Sequence, residues 1–421
     1  MKAELRTPRD AAQGAAQLIH LNNCGASLPP DVVVQSVINH IRSEQQLGPY
    51  EAAAIAADRC QAVYRHAAQL IGCDPSEIAF CDSGSRALNV LVYSLRLSAG
   101  DRILISPLEF GSGVVALQHV AERSGAKLEV LPADSEGRVL TDGLEQALSH
   151  GKPPALVVIT HAAAHSGSVN PVREIGRLVK AAGAFYIVDA CQSVGAMPVS
   201  VDQLQCDALT VTGRKWLRGP RGTGLLYVRR GVSEAIDPVT SDLVTADYLF
   251  EPDRANSSRL RIRTDAHRFE LWERNVAGFI GLGTALEYLL SLISSNPEIY
   301  DRILKVAQYA ADQLHTIDEV EVWAPRKAQS GVLGFVVPGF TASAVKNACA
   351  SCNINISTMS NYDAPLDFRR RGCSTVCRIG VHYFNSIEEI DQFICIIRNL
   401  VNQKRSGRSS HRRPKMSREP Q

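Results

Sequence analysis

Two short apolar runs that end in polar chemistry constrain this chain more than any other feature. Phe185-Tyr186-Ile187-Val188 ends on Asp189, followed by Ala190-Cys191-Gln192, and Asp207-Ala208-Leu209-Thr210-Val211-Thr212 runs into Gly213-Arg214-Lys215-Trp216. Both read as buried strands: each is a short apolar run rich in β-branched or aromatic residues and bounded by turn formers. Both also deliver charge at a strand's carboxyl end, the edge of an open α/β sheet where ligands bind.

Further strands are expected at Ile78 to Phe80, Arg102 to Ser106, Lys127 to Leu131, Ala155 to Thr160 and Gly224 to Val228, mostly with helical segments between them. Apolar strands alternating with helices predict a mainly parallel, doubly wound sheet of seven strands. The last strand is reached through Gly219-Pro220-Arg221-Gly222-Thr223. That connection is too short for a helical crossover, so this strand is expected to run antiparallel. The Gly-rich run is a turn and not a nucleotide loop, because it lacks the Lys-Ser/Thr ending and precedes a strand.

A carboxylate and a lysine at such strand ends suit pyridoxal phosphate, with Lys215 holding the aldehyde as a Schiff base and Asp189 keeping the pyridine nitrogen protonated. Strand ends also favour Asp for its turn chemistry, and a Lys beside a Trp is commonly a solvated surface residue. A second feature bears on the choice. The strand at Ile78 breaks into Cys81-Asp82-Ser83-Gly84-Ser85-Arg86 before a helix Ala87 to Leu97. A small polar turn at a helix amino end makes an anion site, although a plain Ser or Asp helix cap reads the same way.

Around this centre the chain divides into an amino-terminal arm with a substrate loop (1–30), a large domain (31–275), a smaller carboxyl-terminal α+β domain (276–403) and a basic tail (404–421) expected to be disordered. Helical periodicity covers Asp31 to about Gln46 and Glu51 to Ile71, on either side of Gly48-Pro49. In the smaller domain, helices are expected at Tyr300 to Leu314, Ala342 to Cys349 and Ile387 to Leu400, with strands near Val320 to Trp323, Gly331 to Val337 and Cys377 to Gly380.

The formal net charge of +2 owes its sign to the tail, so no nucleic-acid surface is implied. The most apolar segment, Val276 to Leu286, is about eleven residues long with three glycines, which reads as a buried helix and not a membrane span. Eleven irregularly spaced cysteines with no leader pattern suit a reducing, cytoplasmic setting. Cys349-x2-Cys352 followed by Cys373-x3-Cys377 approaches a zinc spacing, but buried thiols of an α+β domain read equally as small apolar residues, and no metal is assigned. His161, His165 and His382 form no metal spacing either.

The succession Asn23-Cys24-Gly25, Ser83-Gly84-Ser85, Glu109-Phe110, Val188 to Gln192, Thr212 to Lys215, Arg268-Phe269-Glu270 and Arg378-Ile379-Gly380 resembles the class V aminotransferase family, which includes the cysteine desulfurases and isopenicillin N epimerase. The resemblance covers roughly residues 20 to 400 and implies the fold type I architecture of pyridoxal-phosphate-dependent transferases. It implies Lys215 as the Schiff-base lysine, Asp189 at the pyridinium nitrogen, Gln192 at the phenolic oxygen and Phe110 stacked on the ring. Gly84, Ser85, Thr212 and Arg214 would hold the phosphate, with Arg214 where desulfurases have a His. Arg378 would grip the substrate's α-carboxylate, with Asn23 and His165 also assigned to the substrate. A homodimer acting on a small amino acid follows from the same resemblance.

Three departures narrow the activity. Ala164 stands where many relatives have an Asn for the phenolic oxygen, so either His165 substitutes or Gln192 works alone. Leu271-Trp272-Glu273-Arg274 replaces a Gly-Thr pair that reaches the partner's phosphate; Glu273 is expected to face substrate or to pair with an arginine. Desulfurases carry a persulfide-forming Cys on a mobile loop, but the equivalent stretch Ser357 to Asp363 has none, and Cys373 and Cys377 are offset from it. The runs Phe269 to Glu273 and Arg214 to Leu217 look more like the ergothioneine-pathway carbon–sulfur lyases. The expected reaction is β-elimination from a cysteine S-conjugate or its sulfoxide; the alternatives are an aminotransferase, an amino-acid epimerase and, less favoured, a cysteine desulfurase.

Overall fold

The computed structural model describes residues 12, 14, 18–233, 236–250 and 258–409. Its centre is a seven-stranded sheet made of β1 (Ile78–Cys81), β2 (Arg102–Ile105), β3 (Lys127–Val130), β4 (Leu156–Thr160), β5 (Phe185–Asp189), β6 (Ala208–Thr212) and β7 (Gly224–Val228). The spatial order is β1-β7-β6-β5-β4-β2-β3. Neighbours from β6 through β3 are parallel, while β7 runs antiparallel to both β6 and β1, as its short connection requires. The central strands β4 and β6 are buried along their whole length, which explains why they read as continuous apolar runs.

Helices cover both faces. On one side lies a core that joins Val157, Ile159, Val188 and Leu209 to Val63 and Tyr64 of the helix α3 (Ala57–Ile71). On the other, Ile103, Ile105, Val158 and Ile187 meet Leu88 and Leu91 of α4 (Gly84–Ser94) and Leu117 of α5 (Gly111–Ser124). Each such fully buried aliphatic side chain contributes about 1.5–3 kcal/mol. Ahead of α3, where a single helix was expected from Glu51 to Ile71, the chain after α1 (Asp31–Leu47) breaks at Ala56. Its ψ of 6° there separates α2 (Pro49–Ile55) from α3.

The apolar helix expected over Val276 to Leu286 extends to Ser295, passing through Glu287. At 20 residues it is long and apolar enough by composition to cross a membrane. Instead it buries Phe279, Ile280, Leu282, Leu286 and Leu289 in the core of the large sheet beside Val63 and Tyr64. Gly283 allows this approach, since a Cβ there would lie 2.8 Å from Val63 Cγ2. We therefore propose that the division between the two units falls after this helix, not at residue 276.

A second, four-stranded antiparallel sheet is built by β8 (Glu321–Val322), β9 (Val332–Val336), β10 (Ser357–Ser360) and β11 (Thr375–Gly380), in the order β8-β9-β11-β10. Its core joins Leu333, Phe335 and Ile379 to Phe393 and Ile397 of the last helix, and takes in Leu21 from the arm. The arm is tied down further by Ile19–His20, which pairs in parallel with Ile354–Asn355. The last helix runs from Ile387 to Ser409, so the first residues of the tail expected to be disordered are helical; residues 410–421 lie outside the described residues. A hairpin, Ala246–Phe250 with Ser258–Ile262, was not foreseen, although Arg259-Leu260-Arg261-Ile262 carries the two-residue alternation of a strand.

Candidate active site

The carboxyl ends of β1, β2, β4, β5 and β6 converge on one cavity. Its walls include Gly84 and Ser85 after β1, Leu108 and Phe110 after β2, Thr160, Ala162 and Ala164 at and after β4, Asp189, Cys191 and Gln192 after β5, and Thr212, Arg214 and Lys215 after β6. The sequence thus brings eight of its eleven candidate residues, Gly84, Ser85, Phe110, Asp189, Gln192, Thr212, Arg214 and Lys215, to a single place.

Each is held by the local backbone chemistry. Asp189 Oδ1 accepts the Cys191 amide at 2.9 Å and the Thr210 hydroxyl at 3.3 Å, which fixes the carboxylate's orientation at the strand end. Lys215 lies deep in the site with Nζ 6.0 Å from the centre of the Phe110 ring. Burial pushes its amine below the ordinary lysine range, helped by Arg378 and Arg214 and opposed by Cys191 and Asp189. At the other end, Arg214 donates to the Thr212 hydroxyl at 2.9 Å, and the Ser85 and Ser112 hydroxyls meet at 2.9 Å beside the amino end of α4. Ser83 caps that helix by accepting the Arg86 amide at 3.1 Å.

Gln192 stands on the cavity wall with its carbonyl taking the Trp216 indole N–H at 2.8 Å and its amide donating to Cys24 O at 2.9 Å. A primary amide carries two N–H bonds, so one remains for a ligand. Arg378 stands just behind the wall: Nη1 donates to Ala164 O at 2.6 Å and Nε to Ser357 Oγ at 2.9 Å.

Two candidates lie elsewhere. Asn23 is fully buried and spends its amide on His20 O, Gly380 O and Asn385, while its oxygen takes the Ser27 hydroxyl; it braces the arm against β11. His165 is also fully buried, and its Nε2 meets Asp367 at 2.7 Å instead of facing the cavity. Arg370 and Arg371 hold the same carboxylate, each through Nε at 2.7 Å. Burial alone would raise the Asp367 pKa, but His165 and Arg371 hold it below the usual carboxylate range. The structure thus commits His165 Nε2 to Asp367, and Gln192 is an amide on the cavity wall.

Glu273 does not face this cavity either. It is exposed beside Arg86 and Leu271 in a separate cleft, while Arg274 pairs with Glu270 at 3.2 Å. Glu270 is buried, accepting from Tyr64 at 2.8 Å and from the Phe80 amide at 2.8 Å, so the Arg-Phe-Glu run braces the sheet.

Three residues in or behind this wall were given no role in the sequence reading. Cys191 lines the cavity, and a Cβ at Gly84 would collide with its sulfur, so the glycine and the thiol share one space. Burial and the neighbouring Asp189 push that thiol well above the ordinary range. Thr160 at the end of β4 also lines the cavity, its amide and hydroxyl bonding the buried Glu109 at 2.6 and 2.8 Å. Burial, then Asp189, raises the Glu109 carboxyl to about 8. The strand-end position of Thr160 in Thr160-His161 was the available signal; Cys191 and Glu109 stood inside quoted motifs, but nothing local assigned either a role.

A family model described as aminotransferase class-V matches residues 19–393. The chain belongs to that family. It is a pyridoxal-phosphate-dependent enzyme of the class V aminotransferases. Among curated relatives, a probable cysteine desulfurase of Pyrococcus abyssi (strain GE5 / Orsay) is 27% identical over 414 residues, spanning 96% of this chain and 100% of the relative. An apo cysteine desulfurase from Thermococcus onnurineus NA1 superposes with a TM-score of 0.85 at 26% identity over 95% of this chain and all of that one. A complex of the cystine C–S lyase C-DES with cysteine persulfide superposes with a TM-score of 0.80 at 21% identity, over 91% of this chain and 98% of that one; that likeness concerns the fold alone.

Proposed function

We propose that this class V enzyme cleaves the carbon–sulfur bond of a cysteine S-conjugate or its sulfoxide by β-elimination, releasing a thiol or sulfenic acid, pyruvate and ammonia. One observation carries the choice. The segment 357–364 beside the cavity contains no thiol and is pinned in place: Gly111 N–H donates to Asp363 O at 2.7 Å, and the Asp363 carboxylate takes the Ser360 amide at 2.7 Å. Neither offset cysteine serves in its stead. Cys373 donates to Thr375 O at 3.2 Å, and Cys377 is buried in the smaller unit's core against Ala342 O.

The cavity's chemistry fits pyridoxal phosphate. Ser85, Thr212, Arg214 and the amino end of α4 would take the phosphate, since hydroxyls, a guanidinium and free backbone N–H groups all donate. Phe110 would offer a flat face to the ring, Gln192 its spare N–H to the phenolic oxygen, and Asp189 would hold a proton at the ring nitrogen. When bound, the cofactor supplies an electron-withdrawing ring that stabilises negative charge at the substrate's α-carbon.

Arg378 would hold the substrate carboxylate beside Ala164. Lys215, its amine made more basic-form-rich by burial, would then take the α-proton onto Nζ. The Cβ–S bond breaks with its electron pair on sulfur, which leaves as thiolate or sulfenate and takes up a proton. The released 2-aminoacrylate tautomerises to the imine and hydrolyses to pyruvate and ammonia.

The test is to supply the holoenzyme with S-substituted cysteines and no keto acid. Pyruvate release is expected, and it should persist when Cys373 and Cys377 are both changed to Ser. Amino transfer that depends on an added keto acid would instead identify an aminotransferase, and α-proton exchange without net product an epimerase. A second reading, cysteine desulfuration, is favoured by the names of the curated relatives. It requires a thiol to receive sulfur, and the thiol on the cavity wall is Cys191; a persulfide trapped on a cysteine during turnover would establish it.

We also propose that the enzyme acts as a homodimer. Tyr50, Ile55, Leu243, Tyr248 and Trp272 expose large apolar area, a pattern that marks association surfaces. The eleven free thiols suit a reducing, cytoplasmic setting.

A further inference from the structure

Arg218 lies three residues after the reacting lysine and the proposed chemistry does not use it. It is 1% exposed and adopts a φ of +57°, a left-handed conformation that side-chain-bearing residues avoid. It closes the turn that carries the lysine, its amide donating to Lys215 O at 3.0 Å, while Gly219 N–H reaches back to Gly213 O at 2.8 Å. Strained backbone of this kind persists only where its surroundings over-determine it.

Those surroundings come from both ends of the chain. Arg218 Nε donates to Leu28 O of the arm at 2.7 Å, and Nη1 donates to the Tyr383 hydroxyl at 2.9 Å. The guanidinium lies over Phe384 at 4.5 Å and near the rings of Tyr383 at 5.5 Å and Tyr288 at 5.9 Å. A weakly hydrated planar cation is suited to such an aromatic enclosure, where a lysine ammonium is less so. The same loop is held at two more points. Ser27 N–H donates to Arg214 O at 2.8 Å, and His382 meets Trp216 O at 3.2 Å. Burial keeps His382 neutral, and its Nδ1 accepts the Tyr383 amide at 2.9 Å, so Nε2 carries the proton given to Trp216.

We infer that Arg218 is a positioning residue for Lys215: its guanidinium, clamped between the arm and the aromatic residues that follow β11, locks the left-handed turn that sets the amine in the cavity. Arg218 acts through the backbone of residues 213–219 and touches neither substrate nor cofactor. The inference rests on Lys215 being the cofactor-bearing lysine, which borohydride reduction and peptide mapping of the unaltered holoenzyme test separately. A label on another lysine there would end that reading of the site.

The inference itself is tested with Arg218→Met, Arg218→Gly and Arg218→Lys. Three readouts are followed: hydrogen exchange of residues 213–219, the pH titration of the cofactor's absorbance, and the yield of borohydride label on Lys215 at matched cofactor content. The Met and Gly variants should exchange faster in this loop, move the titration midpoint by half a pH unit or more, and lower the label yield at least threefold. Arg218→Lys should recover part of each change. The titrating groups that the Lys215 amine feels, Asp189, Cys191, Arg214 and Arg378, are left in place in all three. If Arg218→Gly behaves like the unaltered protein, the enclosure is irrelevant and the inference fails. It fails equally if Arg218→Met lowers the melting temperature while exchange, titration and label stay unchanged. Should Arg218→Met not fold, Tyr383→Phe removes one of the hydrogen-bond partners of Arg218; a smaller shift in the same direction supports the inference, and a titration identical to the parent's overturns it.

Discussion

At the scale of the residue, the site separates groups that a sequence motif can name from groups whose role depends on what surrounds them. Asp189 is of the first kind, a carboxylate oriented by Cys191 and Thr210. Asp189→Asn should leave the circular dichroism spectrum unchanged and slow deuterium exchange at the substrate's α-carbon by roughly 10²-fold, because a positioned charge at the reacting centre is worth that much. Exchange within a factor of two of the parent would contradict the role. Glu109 is of the second kind. Its carboxyl titrates at about 8 when folded against an ordinary value of 4.5, chiefly through burial. As pH rises, the unfolded chain therefore releases this proton first, so stability falls between pH 4.5 and about 8 and levels off above. Glu109→Gln keeps an acceptor for the Thr160 amide and should flatten that slope, as read by urea unfolding at pH 5, 6.5 and 8.

At the scale of the element, the informative piece is the segment between β10 and the short helix Pro365–Arg371. It is held against the amino end of α5 by the Gly111 to Asp363 hydrogen bond, and there is no room between them: a Cβ on Gly111 would collide with Tyr362 O. Gly111→Ala should therefore lift residues 361–364 from α5, visible as faster proteolysis near the exposed Tyr362, and should depress turnover about tenfold by misplacing Arg378's neighbourhood. Unaltered proteolysis and turnover would mean that the contact yields without consequence. In the sequence this segment read only as a place where a cysteine was missing. Its short strand and helix were not foreseen, because Ser357-Thr358-Met359-Ser360 carries little apolar alternation and the helix is only seven residues long.

At the scale of the whole molecule, the two units are joined through buried polar groups as well as apolar contact. Asp367 of the smaller unit binds His165 of the large one, together with Arg370 and Arg371. Arg370 continues to Ser135 O at 3.1 Å, and Arg371 lies 4.8 Å over the Trp323 ring. Removing one charge strands the others, so Asp367→Asn should cost about 3–5 kcal/mol of stability. Calorimetry would show the loss, and a change below about 1 kcal/mol would mean that water or rearrangement compensates.

The sequence by itself determined what local pattern can encode: the alternating strands and helices of the large sheet, the antiparallel β7 forced by a short connection, and the strand-end placing of Asp189, Lys215 and the Gly84-Ser85 turn, while Phe110, Gln192, Thr212 and Arg214 were assigned through the family resemblance. The strand-end positions were legible because a strand's carboxyl edge fixes where its next few residues point, whatever the rest of the chain does. Tertiary structure alone decided the fates of Asn23 and His165. Both are polar residues beside recognisable motifs, but their partners, Asn385 and Asp367, lie hundreds of residues away. It decided likewise that the apolar helix from Val276 belongs with the large sheet, because a helix apolar on most faces does not state which core it fills. Cys191 and Arg218 show the same limit: one matters through the space it shares with Gly84, the other through an enclosure assembled from both ends of the chain.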